Sequence, residues 1–463
     1  MSAISRHPVA AFGRLCLVIS AAVVIVAQAV FGTIPATVLP DVTAAYRLSA
    51  TALFMGGTGQ PVTVPLATPD FVRSFVNDRY AKYVGPTGLC TGGDPGCALI
   101  AVYTPERLFN FDNSVAEGQV LLDSCIRGAA CTATAAPYET TGTAPLTDTS
   151  YVVFGVSQSA MIAGDEKSDL IVNPQDGTTV SFVFVSNEKR PNGGLWERFV
   201  GGGIPFLGVS FTGSTVTNSP KSNPLTTVDI TAQYDGWTDF PLNPLNLLAV
   251  LNAVVGTRLA HGDIKPFSGA PQLQGYYQDT TYYLQPASLV PLVMPLAFIP
   301  IIGMPLARAL DAPLRVIIES GYDRSINPGE PTPAKYSYFP DLVKTLLNLA
   351  VAIPTGWDDA IVSITGNPAS RPFHTAPQPV YGVGGPPVYA GAVDPYGPVD
   401  PTVAVASANA KPLVTDAATR VPRRRVAVAA AAQASVARVE SPMSRRGAHF
   451  ASSVKRGALA RRG

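Results

Sequence analysis

Ser157 stands in the stretch YVVFGVSQSA (151–160), where strand-like residues run through Gly155 into two closely spaced serines. A serine hydroxyl is a useful nucleophile only when a base takes its proton and donors hold the developing oxyanion. A strand-to-helix turn meets part of that need by exposing the hydroxyl and aiming the next backbone N–H, here that of Gln158, at the charge. Strand and helix approach closely at such a turn, so the positions two before and two after the serine must be small. Gly155 and Ser159 satisfy this, although the usual G-x-S-x-G pattern would end in glycine. The chain has four histidines that could serve as the base: His7, His261, His374 and His449. His7 belongs to the apolar N-terminal leader and His449 to a basic tail. His261 lies well inside the predicted domain and follows the serine, as the order Ser…Asp/Glu…His requires; His374, where a Pro-rich region begins, is its rival. The orienting acid should lie between Ser157 and His261, and ITAQYDGWTDFPLNP offers Asp235 and Asp239. A strand over TTVDITAQY would deliver Asp235 to the sheet edge, which favours it; Asp239 could instead cap the following segment. Gly57 and Thr58, in the glycine turn GGTG (56–59), are placed to supply a second oxyanion N–H, because glycine lets backbone approach a ligand closely. The same turn lacks the lysine and the spacing of a phosphate-binding loop.

These residues need a scaffold, and the pattern predicts one. TALFMGGTG (51–59), ALIAVYTP (98–105), YVVFGVS (151–157), TVSFVFVSN (179–187) and LRVIIESG (314–321) read as short buried strands. Residues 114–127 have the apolar spacing of a helix. Short apolar β-branched runs separated by helix-length segments predict an α/β fold with a largely parallel central sheet flanked by helices. About half of the residues are apolar and 14% are charged, which supports a substantial core.

The ends differ from this body. Arg6, His7 and Arg14 precede the apolar run Leu15–Val26 and an Ala27-Gln28-Ala29 site, so residues 1–31 are expected to be a secretory signal peptide or, uncleaved, an N-terminal anchor. An exported chain suits disulfides. Besides Cys16, the cysteines form two close pairs, and the expected pairing is Cys90 with Cys97 and Cys125 with Cys131. Neither pair has C-x-x-C spacing and no histidine is near, so no metal site is expected. From about residue 365 the chain becomes Pro/Gly-rich and then basic, with 12 Lys/Arg against 3 Asp/Glu from Asp400 onward. Residues 365–463 read as a disordered tail, with attraction to anionic lipid or cell-wall polymer as its functional alternative. Nucleic acid is not an expected partner, since aromatic interleaving is missing. LQPASLVPLVMPLAFIPIIGMPL (284–306) is uncharged, yet five prolines interrupt it and argue against a spanning helix. It is expected to be either a buried irregular segment or a wall of an apolar substrate cavity.

Together the landmarks FMGGTGQP, FGVSQSA, KRPNGGLWERF, YDGWTDFP, LAHGD, YYLQPASLVPLVMPL and LRVIIESGYDRSINPGEPTP resemble the PE-PPE domain, in that family's order and over roughly residues 48–345. The resemblance implies an α/β-hydrolase fold over residues 48–364, with Ser157, Asp235 and His261 as nucleophile, orienting acid and base, and no cofactor. A G-x-S-x-S turn is usual in that family, so Ser159 is expected rather than defective. The chain lacks the N-terminal helical module for which the family is named and is similar instead to stand-alone members, some of them acyltransferases building acylated trehalose lipids. SNEKRPNGG stands where the family more often has GDPNRPNGG, which puts substrate details in question. The implied function is an exported serine esterase or acyltransferase of the cell envelope acting on lipid esters or glycolipids. The competing reading is a non-catalytic envelope protein that keeps the fold, and a third is a membrane-integrated component using residues 15–31 and 284–306.

Overall fold

The computed structural model describes residues 50–90, 97–262 and 269–377; the expected signal or anchor at 1–31 and the tail beyond 377 lie outside these residues. In chain order the strands are β1 (Ala50–Phe54), β2 (Ala98–Val102), β3 (Ala130–Ala135), β4 (Thr141–Pro145), β5 (Ser150–Val156), β6 (Thr179–Val185), the two-residue β7 (Gly203–Ile204) and β8 (Val209–Ser210), β9 (Thr227–Ala232), β10 (Gln272–Tyr277) and β11 (Thr280–Gln285). The helices are α1 (Pro69–Arg79), α2 (Phe111–Ile126), α3 (Gln158–Val172), the single turn α4 (Leu195–Arg198), α5 (Leu247–Leu259), α6 (Gly303–Glu319) and α7 (Leu342–Thr365).

Nine strands form one sheet in the order β10-β11-β9-β6-β5-β1-β2-β3-β4. Strands β11 to β2 along that order run parallel, while β10 and the β3–β4 hairpin close the two edges antiparallel. The central strands are apolar on both faces because both faces are covered. Side chains alternate along them. Leu53, Val153, Phe182 and Phe184 pack with Leu122 of α2 and Ile162 of α3 on one face. Phe54, Val152, Phe154 and Val183 pack with Val72, Phe75 and Val76 of α1 on the other. This is the expected α/β layering, and it sets β5 next to β1 and β6 with their carboxyl ends together.

Two sequence expectations change. LRVIIESG is not a strand but the end of helix α6, whose buried Ala307, Asp311, Arg315, Val316, Ile318 and Glu319 recur at helical spacing. The helix tolerates Pro313 at its centre, and Gly356 of α7 packs against the Ala309 carbonyl one turn earlier, where an added Cβ would stand 2.2 Å from that oxygen. The segment 284–306 runs from the end of β11 through a largely irregular stretch into the start of α6, and it splits in two by burial. Leu284, Ala287, Leu289, Val290, Val293 and Met294 are buried, whereas Phe298, Ile301 and Ile302 face outward. Ala287, Ser288 and Met304 line a cavity of about 510 Å³ beside α6 and α7, not the one at Ser157. Among the described residues no helix is long and apolar enough to cross a membrane.

Several ion pairs lie inside the fold rather than on it. Lys167 of α3 meets Asp279 at 2.7 Å, Arg190 meets Asp229 of β9, and Arg315 meets Asp311 at 3.0 Å within α6. The two disulfides are Cys90–Cys97 and Cys125–Cys131, the local pairing expected. The start of the expected tail is tied down: Asp358 and Asp359 of α7 bind Phe373, Thr375 and Arg371. That places His374 between residues held by Asp358, in the last two turns of α7.

Candidate active site

β5 ends at Val156 and α3 begins at Gln158, so Ser157 alone makes the turn, at φ 57°, ψ −126°. Such backbone is strained for any residue with a Cβ and persists only where the surroundings over-determine it. Here they do. The Ser157 N–H donates to Val185 O of β6 at 3.0 Å. Gly155 lies so close to α3 that an added Cβ would sit 2.4 Å from Ser159 O. The Ser159 hydroxyl accepts from the Val156 N–H at 2.8 Å and lies 3.1 Å from Met55 O, stapling the turn to the end of β1. The residue that looked like a flaw in the motif is a buried fastener.

Asp235 follows β9 by three residues and is fully buried. Its Oδ1 accepts the Trp237 N–H at 3.0 Å, and its Oδ2 accepts the Thr238 hydroxyl at 2.8 Å. His261 follows α5, whose N-terminus is capped by Asn246. Gly256 allows α5 to lie against this acidic turn, since a Cβ there would stand 1.9 Å from Tyr234 O. The result is a line of contacts: His261 Nδ1 is 2.8 Å from Asp235 Oδ2, and His261 Nε2 is 2.8 Å from Ser157 Oγ. Asp239 points elsewhere. Its carboxylate accepts the Tyr234 N–H and two bonds from Arg324, at 2.6 and 3.0 Å.

Gly57 and Thr58 line the same cavity as Ser157. Gly57 is close enough that an added Cβ would come within 3.4 Å of Ser157 Cβ. The Gln158 N–H opens α3 and has no intrahelical acceptor. The Gln158 side chain is buried and ties the two loops together, donating to Thr58 Oγ1 at 3.2 Å and to Arg107 O at 2.9 Å. The cavity, about 600 Å³, has apolar walls from Leu108, Phe111, Trp196, Ile204, Leu207, Val209 and Trp237, with Arg258 at its margin.

Two carboxyl groups that the motif search missed belong to this neighbourhood. Glu188, three residues beyond β6, is buried with its Oε1 2.9 Å from Ser157 Oγ and 3.9 Å from His261 Nε2. Its Oε2 has no hydrogen-bond partner among the described residues. Burial pushes its pKa up to about 7 against the opposing pull of His261. The signal was the departure SNEKRPNGG itself, which puts a carboxyl at the carboxyl edge of the strand beside β5. Glu106 holds the 56–60 loop: its carbonyl accepts the Gly59 N–H at 2.7 Å, and its Oε1 accepts the Thr104 hydroxyl at 2.9 Å. Burial raises it to about 8, as it does Glu166 of α3.

These raised values predict a pH effect on folding. A carboxyl whose pKa is higher in the folded chain than in the unfolded one binds its proton better when folded. The stabilisation is complete below the ordinary carboxylate range and is lost as pH rises through the folded values, about 7 for Glu188 and about 8 for Glu106 and Glu166. The melting temperature by circular dichroism is expected to be higher at pH 5.5 than at pH 8.5, by roughly 5–10 °C. A flat profile would mean that these groups are solvated.

Asp123, Glu166 and Asp169 cluster on α2 and α3, but Arg127 already bridges Asp123 and Asp169.

The PE-PPE domain model matches residues 96–323. The chain is 33% identical over 347 residues to the PE family protein PE3 of Mycobacterium tuberculosis, covering 71% of this chain and 66% of that one. It is 32% identical over 309 residues to the esterase PE16 of the same organism, covering 61% and 51%. Over 190 residues it is 29% identical to that organism's diacyltrehalose acyltransferase Chp2, covering 37% and 51%. The chain thus spans half to two thirds of these relatives' lengths. No solved structure matches it. The domain match contains the Ser157 turn, the Asp235 turn and His261, and on that match and these similarities the chain belongs to the PE-PPE domain family.

Proposed function

We propose that this chain is an exported serine esterase or acyltransferase that cleaves or transfers acyl groups of lipid esters through Ser157, His261 and Asp235. The observation that carries this reading is the unbroken line from Asp235 Oδ2 through the His261 ring to Ser157 Oγ, with 2.8 Å at each contact. In the proposed reaction Ser157 Oγ attacks the ester carbonyl carbon as His261 Nε2 takes its proton. Asp235 holds the Nδ1–H tautomer and stabilises the imidazolium. The N–H groups of Gln158 and of Gly57 or Thr58 hold the oxyanion. His261 then protonates the departing alcohol, leaving the acyl group on Ser157. A second hydroxyl, from water or a sugar, gives its proton to His261 and attacks the acyl carbon, and the proton returns to Ser157.

The apolar walls favour a lipid acyl group, and the names of the esterase and acyltransferase relatives agree with acyl chemistry on a lipid or glycolipid. We place the activity in a hydrolase domain of residues 48–364, preceded by the export segment and followed by the tail. Two disulfides support an oxidising compartment on the cell-envelope side or beyond.

The test is to incubate the protein with an acylated trehalose and with a long-chain p-nitrophenyl ester, then separate the products by mass. Free fatty acid alone indicates hydrolysis. A sugar that gains an acyl chain indicates transfer. Neither product from folded protein would overturn the proposal in favour of a binding role.

A further inference from the structure

The contacts around Ser157 Oγ hold more partners than a triad requires, and counting protons shows what that demands. In the neutral tautomer that the Asp235 carboxylate favours, His261 Nδ1 donates to Asp235 and Nε2 is the acceptor for the Ser157 hydroxyl at 2.8 Å. A hydroxyl has one hydrogen. In the structure the Ser157 hydroxyl donates to Glu188 Oε1 at 2.9 Å; once that hydroxyl is directed at His261 instead, the contact stays a hydrogen bond only if Glu188 becomes the donor. Glu188 can donate only as a carboxylic acid. In its ionised form it either faces the lone pairs of Oγ at that distance or draws the hydroxyl hydrogen away from His261. Each alternative removes the arrangement in which the base receives the serine proton.

We propose that Glu188 is a catalytic residue of this site that must carry its own proton, donating it to Ser157 Oγ so that the serine hydroxyl is directed at His261. The proposal rests on the reading of Ser157 as nucleophile and adds a requirement that a Ser-His-Asp triad does not have. The surroundings fit a neutral acid. Glu188 is buried, its Oε2 is unpartnered among the described residues, and no lysine or arginine pairs with it there. Its chain neighbours Lys189 and Arg190 are engaged with Asp165 and Asp229. From the packed elements it is faced by His261 and by the Ser157 hydroxyl, which favour the ionised form, and by Asp235, which disfavours it, while burial outweighs them; Arg258 is exposed and lines the cavity. No bond is made or broken at Glu188 on acylation. It keeps its proton while Ser157 passes its own to His261, and it then donates to the ester oxygen of the acyl-enzyme.

The consequence is a pH profile opposite in sense to that of an ordinary triad, where the rate rises to a plateau as the histidine loses its proton. Here the rate falls as pH passes through the value of about 7 to which burial raises Glu188. The experiment measures the rate at which a fluorophosphonate probe labels Ser157 in the full chain from pH 5 to 9, with folding followed by near-ultraviolet circular dichroism. The wild-type rate is expected to drop about tenfold between pH 7 and 8.5 and to recover on return to pH 6.5. Glu188→Gln keeps an N–H donor toward Oγ but cannot ionise, so its rate should stay level over that range. A wild-type rate that holds or rises from pH 7 to 9 overturns the proposal, with or without a folded variant. A drop that persists unchanged in folded Glu188→Gln overturns it as well. No labelling of folded wild type at any pH would instead remove the nucleophile reading itself, which separates the two failures.

Discussion

Ser157→Ala is expected to lower ester turnover by about 10⁶-fold while leaving the fold intact. The size follows from what the oxygen does. Without it there is no acyl-enzyme, and the remaining groups can only orient water against a bound ester. The fold should survive because alanine asks for no new space in the turn. Its strained backbone is held by the Val185 carbonyl, by Gly155 against α3 and by the Ser159 hydroxyl, none of which involves Oγ. Two contacts are lost, those to His261 and Glu188, and both partners line the cavity and can meet water there. The measurement is p-nitrophenyl ester hydrolysis beside a circular dichroism melt. Retention of a tenth of the wild-type rate in the folded variant would place the nucleophile elsewhere.

Asp235→Asn and Asp239→Asn should fail in different ways, although the two positions lie four residues apart. Asparagine at 235 is nearly isosteric but presents an N–H or a weaker acceptor to His261 Nδ1, so the tautomer that receives the serine proton is no longer favoured. Turnover should drop about 10⁴-fold with little change in melting temperature. Asp239 instead accepts two bonds from Arg324, which also binds Glu319 at 3.0 Å, and the three side chains are nearly covered. Neutralising Asp239 leaves Arg324 partly uncompensated, with an expected loss of about 3 kcal/mol of stability. Turnover per folded molecule should remain within about tenfold of wild type. Kinetics and denaturant melts on the two variants decide the matter. Equal losses of turnover would mean that the Asp239–Arg324 pair also positions the acid.

The Ser157 turn was legible from sequence because its requirement is steric and local. Small residues at Gly155 and Ser159 and a buried strand before them can be seen in ten residues. His261 was legible by elimination, since the other histidines stand in the expected leader, the expected tail or the Pro-rich region. The preference for Asp235 over Asp239 rested on a strand end alone, whereas in the fold the two differ in partners far along the chain, His261 for one and Arg324 for the other. The departure SNEKRPNGG marked the segment of Glu188, but its place beside Ser157 could not be read from sequence, for a similar reason. Only the parallel register of β5 with β6, pairing Gly155 with Phe184 and Val156 with Val185, brings residues just past β6 beside Ser157. LRVIIESG misled because a short β-branched run carries no clear period. Its helical character lies in the longer spacing of buried Ala307, Asp311 and Arg315, and the proline in the middle disguised it.

The ion pairs inside the fold constrain how such a sequence can change over time. Lys167 of α3 and Asp279 before β11 are 112 positions apart in the chain, yet each neutralises the other away from water. Losing one member alone strands a buried charge at a cost of about 3–5 kcal/mol, a large share of the stability of an ordinary domain. Replacing both by apolar groups of similar volume can be neutral. Lys167 with Asp279, and Arg190 with Asp229, are therefore pairs that a lineage must exchange together or through a compensating neighbour. Surface positions can drift singly, whereas these sites should appear across descendants as linked states, both charged or both neutral.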